Sequence, residues 1–313
     1  MLKTWLKDAE KVAIAGHVRP DGDCMGSCLG LYNYLRENYK NLEISVYLEP
    51  AKTCFEILPG AEAIRHEIPE NDVVDVFFAL DSGDKERLGF AAPLFDMAKK
   101  TVCIDHHISN TAYADDNLVD PDASSASEMV YRLIKEQTIS RSVAECLYLG
   151  IVHDTGVFAY SSTSPDTMRA AARLLETGID GQALIDKTFF ERSYAETRAL
   201  GMALMNSFLS DGFIVSVLTR SDMAKAGAGD DDLESIVNNL RMTRGTLAAV
   251  FLHETPAGDF KVSLRSGGAV DTSRVAVKFG GGGHKKASGL TLPDAEGSLK
   301  ALLAALKAEE KDD

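Results

Sequence analysis

Short apolar runs alternate with helically spaced segments through the first half of this chain. Residues 11–15, 42–48, 73–80 and 101–104 are apolar or alternating stretches, and 24–38 between them carries Leu29, Leu31, Tyr34 and Leu35 at helical spacing. Runs of this length, set between helices, predict buried parallel strands in a doubly wound α/β sheet. Ser124-Ser125-Ala126-Ser127-Glu128 opens a helix through Lys135, with Ser and Glu spaced as in a capping box. Residues 143–152 predict a further helix that delivers His153 and Asp154 at its end, and Ser164-Pro165-Asp166 starts another over 167–176, closed at Gly178.

The texture then changes. The stretch 182–208 is helical in character without a strand and reads as a connector. Beyond Gly212, strands at 213–218, 246–254 and 259–265 and helices at 232–240, 275–278 and 297–307 predict a smaller mixed sheet. The expected organisation is a doubly wound, mostly parallel α/β domain over 1–186, a helical connector over 187–208 and a mixed-sheet α/β domain over 209–313.

Charge narrows the choice of partners. The 313 residues carry a formal net charge of −14, which opposes tight nonspecific binding of long nucleic acid, since that needs a basic face. A short anionic substrate held by metals and a few local cations is compatible with it. Five scattered cysteines without a CxxC suggest neither a disulfide framework nor structural zinc. The charged N-terminus has no signal core, and no apolar stretch is long enough to span a bilayer. The expectation is a soluble, cytoplasmic protein with no membrane partner.

Four segments then stand out: His17-Val18-Arg19-Pro20-Asp21-Gly22-Asp23, Leu80-Asp81-Ser82-Gly83-Asp84, Ile104-Asp105-His106-His107 and His153-Asp154-Thr155-Gly156. Taken singly, Pro20 to Asp23 would make an ordinary turn and Asp81 an ordinary helix cap. Taken together, all four sit at the ends of predicted elements, where an open α/β sheet binds ligands. Clustered carboxylates raise one another's pKa and repel, a cost that divalent cations relieve. Oxygen and imidazole donors without cysteine favour Mn²⁺ or Mg²⁺ over zinc, and a pair of such ions suits a phosphoryl centre. The adjacent histidines, on an extended segment, should face different ways and do different jobs.

The other dense signal is Phe279-Gly280-Gly281-Gly282-Gly283-His284-Lys285-Lys286. Consecutive glycines expose backbone N–H groups and suit an anion-binding concavity. Arg265, Lys278, His284, Lys285 and Lys286 make this region locally basic. A flexible linker is the competing account.

His17-x-x-Pro20-Asp21-x-Asp23, Asp81-Ser-Gly-Asp, Asp105-His106-His107 and Asp154-Thr-Gly resemble the four motifs of the DHH phosphoesterase superfamily. Gly280 to Gly289 resembles the signature of its DHHA1 substrate-binding domain. Size and domain content resemble the group that degrades very short RNA and dephosphorylates 3′-phosphoadenosine 5′-phosphate (pAp). The resemblance implies two Mn²⁺ ions, one held by His17, Asp21 and Asp81, the other by Asp23, Asp81, His106 and Asp154, with Asp81 bridging. It places His107 against the scissile phosphate and Asp105 behind a ligand, and gives Arg265, Gly281, Gly282, Gly283 and His284 to the far end of the substrate. On that reading the site lies in a cleft between the domains, and the distance from metals to phosphate grip selects short substrates. A homodimer is compatible with it. Family II pyrophosphatases share the metal motifs but not the glycine tract, and RecJ-type exonucleases carry further nucleic-acid-binding modules. The alternative is hydrolysis of cyclic dinucleotides or of pApA.

Overall fold

A computed structural model describes residues 1–69, 72–134, 139–295 and 297–310. The chain divides into two compact units, Met1–Glu191 and Arg192–Asp313. In the first, β1 (Lys11–Ala15), β2 (Glu43–Tyr47), β3 (Ile64–Arg65), β4 (Val76–Leu80), β5 (Lys100–Asp105) and β6 (Asp116–Val119) form one sheet in the order β3-β2-β1-β4-β5-β6. Every pairing in it is parallel. The two strands that the apolar pattern did not mark, β3 and β6, are the short, partly exposed edges.

β4 is buried throughout because both faces of the sheet are covered. Phe78 and Leu80 enter the larger core, which also holds Leu29, Leu35, Leu147 and Ile151. Phe77 and Ala79 enter the core on the opposite face with Leu88, Leu94 and Phe95. A strand packed on both sides reads as a continuous apolar run rather than an alternating one. Each buried Phe contributes about 1.5–3 kcal/mol of transfer free energy.

Strand order reverses between β1 and β4, and open α/β sheets bind ligands outside the carboxyl ends of the strands at such a point. His17 follows β1, Asp81 follows β4 and Asp105 ends β5. Three of the four motif segments therefore leave neighbouring strands, spaced about 4.8 Å apart. The fourth arrives on a helix. Gly22–Asn38 and Arg141–Asp154 cross closely: a Cβ on Gly26 would lie 2.5 Å from the Cys146 carbonyl oxygen and 2.9 Å from Gly150 Cα. That approach carries Asp154 to the start of the first helix. The helix opened by Ser125 runs Ala126–Leu133; its expected end at Lys135 lies outside the described residues, as do the last three residues of the chain.

In the second unit, β7 (Phe208–Ser210), β8 (Phe213–Leu218), β9 (Ala248–Glu254), β10 (Phe260–Ser266), β11 (Gly282–His284) and β12 (Ala287–Leu292) are ordered β11-β12-β10-β9-β8-β7. Only β8 and β9 pair in parallel. One face packs Val250, Val262, Leu264 and Leu290 against Val275, Leu302 and Leu306. The other packs Ile214, Leu218, Ala249 and Phe251 against Ala199, Ala203, Met223 and Leu240. The Tyr194–Met205 helix, expected as part of a connector, is thus an element of this second core. Among the described residues no helix is long and apolar enough to cross a membrane.

Candidate metal centre

At the switch point the four motif segments converge. His17 Nε2 lies 3.6 Å from Asp21 Oδ1 and 3.4 Å from Asp81 Oδ2. His106 Nε2 lies 3.1 Å from Asp154 Oδ2, 3.4 Å from Asp81 Oδ1 and 3.9 Å from Asp23 Oδ2. His17, Asp21 and Asp81 form one group with the spacing of metal ligands, Asp23, His106 and Asp154 form another, and Asp81, His106 and His107 form a third. Asp81 stands between them, with one carboxylate oxygen toward each histidine.

Local chemistry holds each donor in place. His17 is hydrogen-bonded through Nδ1 to the Val18 carbonyl at 2.9 Å, which leaves Nε2 turned to the carboxylates. Asp21 N-caps the Gly22–Asn38 helix, accepting the N–H groups of Asp23 and Cys24. Asp81 adopts a left-handed backbone, φ 54°, directly after β4. Aspartate is among the few non-glycine residues that take that conformation, and non-glycine residues held there gather at functional sites. Asp23 is fully buried, and its two oxygens accept the N–H groups of Ala126 (2.6 Å) and Ser127 (2.9 Å) at a helix N-terminus.

Burial should pull the two imidazoles toward neutrality, yet the neighbouring carboxylates push both pKa values up to about 12. Burial pushes the Asp23 carboxyl up, and the Asp81 and Asp154 charges add to it. Burial likewise raises Asp154, which His106 opposes and Asp81 reinforces, leaving it at about 6. The cluster holds more negative charge than it compensates without bound protons, and a divalent cation replaces those protons. One atom fits that need directly. Asp81 Oδ1 is buried and accepts no hydrogen bond, although buried carboxylate oxygens are almost always satisfied. The donor set therefore fits a divalent metal.

Asp105 and His107 form a pair at the edge of the cluster, with His107 Nδ1 also 3.7 Å from Asp81 Oδ1. His107 Nδ1 lies 2.7 Å from Asp105 Oδ1, and Asn110 donates to the other Asp105 oxygen at 2.6 Å. The Asp105 contact raises the His107 pKa against the effect of burial. The two histidine rings stand 4.8 Å apart. They do not point to opposite sides, as an extended segment would require, because the chain leaves β5 at Asp105; both approach Asp81 Oδ1, and they differ in their nearest partners, Asp154 for His106 and Asp105 for His107. His153, beside Asp154, takes no part in the cluster. It packs between Phe55 and Phe189 and bonds Thr188 Oγ1 at 3.0 Å. Asn110 and the amides of Ala126 and Ser127 carried no metal-like signature in the sequence.

The glycine tract is more structural than its sequence suggests. The Gly280 and Gly281 N–H groups donate to the carbonyls of Val277 and Ala276 and close the Thr272–Lys278 helix, so they are not free for an anion. Gly282–His284 continues as edge strand β11. A Cβ on Gly281 would lie 2.2 Å from the Gly289 carbonyl oxygen, whereas one on Gly282 would meet nothing. Gly281→Ala should lower the unfolding free energy by about 1–3 kcal/mol in denaturant titration, and Gly282→Ala by much less; equal effects would contradict this packing. The register places Arg265, Ala287 and His284 in one row across β10, β12 and β11. The next row on that face is Ser263, Gly289 and Gly282. Arg265 donates to Asn238 Oδ1 at 3.2 Å, and His284 is exposed.

A switch-point sheet with this donor cluster defines a metal-binding α/β protein. The chain belongs to the DHH family: the DHH family N-terminal domain matches residues 11–151 and the DHHA1 domain residues 210–312. It is 32% identical over 303 residues to the bifunctional oligoribonuclease and PAP phosphatase NrnA of Thermus thermophilus, covering 95% of this chain and 90% of that protein. NrnA of Bacillus subtilis is 30% identical over 289 residues, covering 90% of each. Among solved structures, an exopolyphosphatase-related protein from Bacteroides fragilis is similar at a TM-score of 0.87 and 28% identity, over 98% of this chain and 94% of that one.

Proposed function

We propose that this chain is a phosphoesterase that uses two divalent ions, Mn²⁺ foremost, to hydrolyse very short oligoribonucleotides and pAp. The observation that carries the reading is the unsatisfied, buried Asp81 Oδ1 amid His17, Asp23, His106 and Asp154. His17, Asp21 and Asp81 would hold one ion, and Asp23, Asp81, His106 and Asp154 the other. Bound divalent cations supply positive charge to a phosphoryl group and lower the pKa of water. With Nδ1 engaged by Asp105, His107 retains Nε2 to stabilise charge on the phosphate or to protonate the leaving oxygen.

The substrate class rests on the NrnA relatives and on the second unit. There Arg265 and His284 flank the small side chain of Ala287, beside the Ser263, Gly289 and Gly282 row. Gly282 and His284 are exposed and Ser263, Arg265, Ala287 and Gly289 half-exposed, so the patch is open, with the Arg265 guanidinium and the His284 ring at its rim and little bulk on its floor. Such a surface suits a terminal phosphate or a base, with Gly283 in the same strand and Gly281 supporting it by close packing. Arg265→Ala should raise KM for pAp or a dinucleotide by roughly 10–100-fold, the value of a charge-assisted hydrogen bond. Hydrolysis of bis-p-nitrophenyl phosphate, a minimal diester, should hardly change. Equal damage to both substrates would remove these residues from substrate binding.

The decisive assay resolves products with Mn²⁺ across dinucleotides, longer RNA, pAp, cyclic dinucleotides, pApA and pyrophosphate. Dinucleotides and pAp should turn over fastest and long RNA slowest, in keeping with the −14 charge. Preference for cyclic dinucleotides or pApA would move the assignment to the alternative activity, and equal rates on long RNA would make it a general exonuclease.

A further inference from the structure

Behind Asp23 lies a further buried carboxylate that is not itself a candidate ligand. Glu128, fully buried, lies in the helix whose first turn supplies both N–H donors to Asp23. Its Oε2 accepts three hydrogen bonds, from the Ser124 N–H (3.1 Å), the Ser124 hydroxyl (2.5 Å) and the Thr167 hydroxyl (2.8 Å). Oε1 is bonded by the Arg132 guanidinium. The Glu128 backbone N–H donates to Ser125 Oγ at 3.0 Å. Both ends of one residue thus grip the Ser124–Ser125 turn, while Thr167 ties the same carboxylate to the Pro165–Leu175 helix.

An ordinary capping box lies at the surface and returns its carboxylate to the N-cap N–H. Here the carboxylate is displaced by one residue, to Ser124, and every oxygen is satisfied inside the protein. Burying a carboxylate that deeply is costly unless it is paired and hydrogen-bonded, and Arg132, Ser124 and Thr167 meet that need here. What the turn presents is the pair of N–H groups of Ala126 and Ser127, one to each Asp23 oxygen. Gly150 packs against the same spot, where a Cβ would lie 1.9 Å from Ser127 Oγ and 2.8 Å from Asp23 Oδ1. Little room exists for Asp23 to follow the turn if the turn moves.

We propose that Glu128 is a positioning residue of the metal centre: its carboxylate fixes the Ser124–Ser127 turn, whose two N–H groups aim the Asp23 carboxylate at the cation. This rests on the metal reading given above. Outer partners that orient metal ligands carry about 10–100-fold in metal affinity, so the expected effect is of that size and confined to metal binding.

The test is Mn²⁺ titration calorimetry on the metal-stripped full chain, with kinetics on pAp at low and saturating Mn²⁺. Glu128→Gln keeps shape but weakens the bonds to Ser124 and Thr167 and breaks the Arg132 ion pair, and Thr167→Val removes a donor to Glu128 together with the acceptor of the Ser164 N–H in its own helix cap, with little change in volume. Ser193→Ala, which breaks the capping box of the Tyr194–Met205 helix, controls for loss of stability alone. Mn²⁺ affinity should fall by about tenfold or more in Glu128→Gln and severalfold in Thr167→Val, with activity recovered at high Mn²⁺ and KM for pAp unchanged. Ser193→Ala should bind Mn²⁺ as the wild type does. If Glu128→Gln does not fold, Thr167→Val alone decides. Wild-type Mn²⁺ affinity in the folded variants, or an equal loss in Ser193→Ala, overturns the positioning role and leaves the metal site standing. A wild type that binds no Mn²⁺ overturns the metal reading and this role with it.

Discussion

Asp81→Asn is expected to abolish hydrolysis of pAp and dinucleotides, by on the order of 10³-fold or more, the scale on which loss of a preorganised polar group acts. The side chain keeps its shape, so the fold should survive; what goes is the negative charge set between His17 and His106. A second readout does not depend on turnover. At Mn²⁺ a hundredfold above its Kd, the wild type should gain about 2.7 kcal/mol of stability from binding. Asp81→Asn should lose most of that gain in thermal or denaturant unfolding. Near-normal activity, or an undiminished Mn²⁺-induced shift, would remove Asp81 from the centre of the site.

The adjacent histidines should separate cleanly. His106 faces Asp81, Asp154 and Asp23, whereas His107 Nδ1 is held by Asp105 at 2.7 Å, with Asp81 farther off at 3.7 Å. His106→Ala should therefore lower the number of bound Mn²⁺ ions. His107→Ala should bind the wild-type number and lose roughly 10²–10⁴ in kcat, the range for a lost proton donor or charge-stabilising group. Asp105→Asn should follow His107→Ala in kind, because its effect passes through the orientation of that ring. Metal counting on the purified variants decides between the roles, and equal metal loss in His106→Ala and His107→Ala would refute the division.

The parts of this architecture that rest on local chemistry were legible in the sequence. Val76 to Leu80 announces a strand buried on both faces, and the acidic residues that follow such runs fall where the switch point gathers ligands. Ser125 and Glu128 spell a helix start. The parts that rest on tertiary pairing were not legible. β3 and β6 are short edges whose burial is too partial to leave an apolar pattern. The four glycines read as an open anion cradle, but Gly281 is required by the backbone of Gly289, eight residues on and across a strand pair. Glu128 read only as half of a capping box, because nothing in its neighbourhood names Thr167, which meets it from another helix. His153 carried the same local signature as the ligands, yet its surroundings of Phe55 and Phe189 make it a packing residue.

The most direct test of the two-ion site is to strip the full chain of metal and titrate Mn²⁺ back while counting bound ions and following pAp hydrolysis. The stripped protein should be inactive, two equivalents should bind, and activity should rise as the second is taken up. Hydrolysis by the stripped protein, or full activity with no bound ion, would contradict the account.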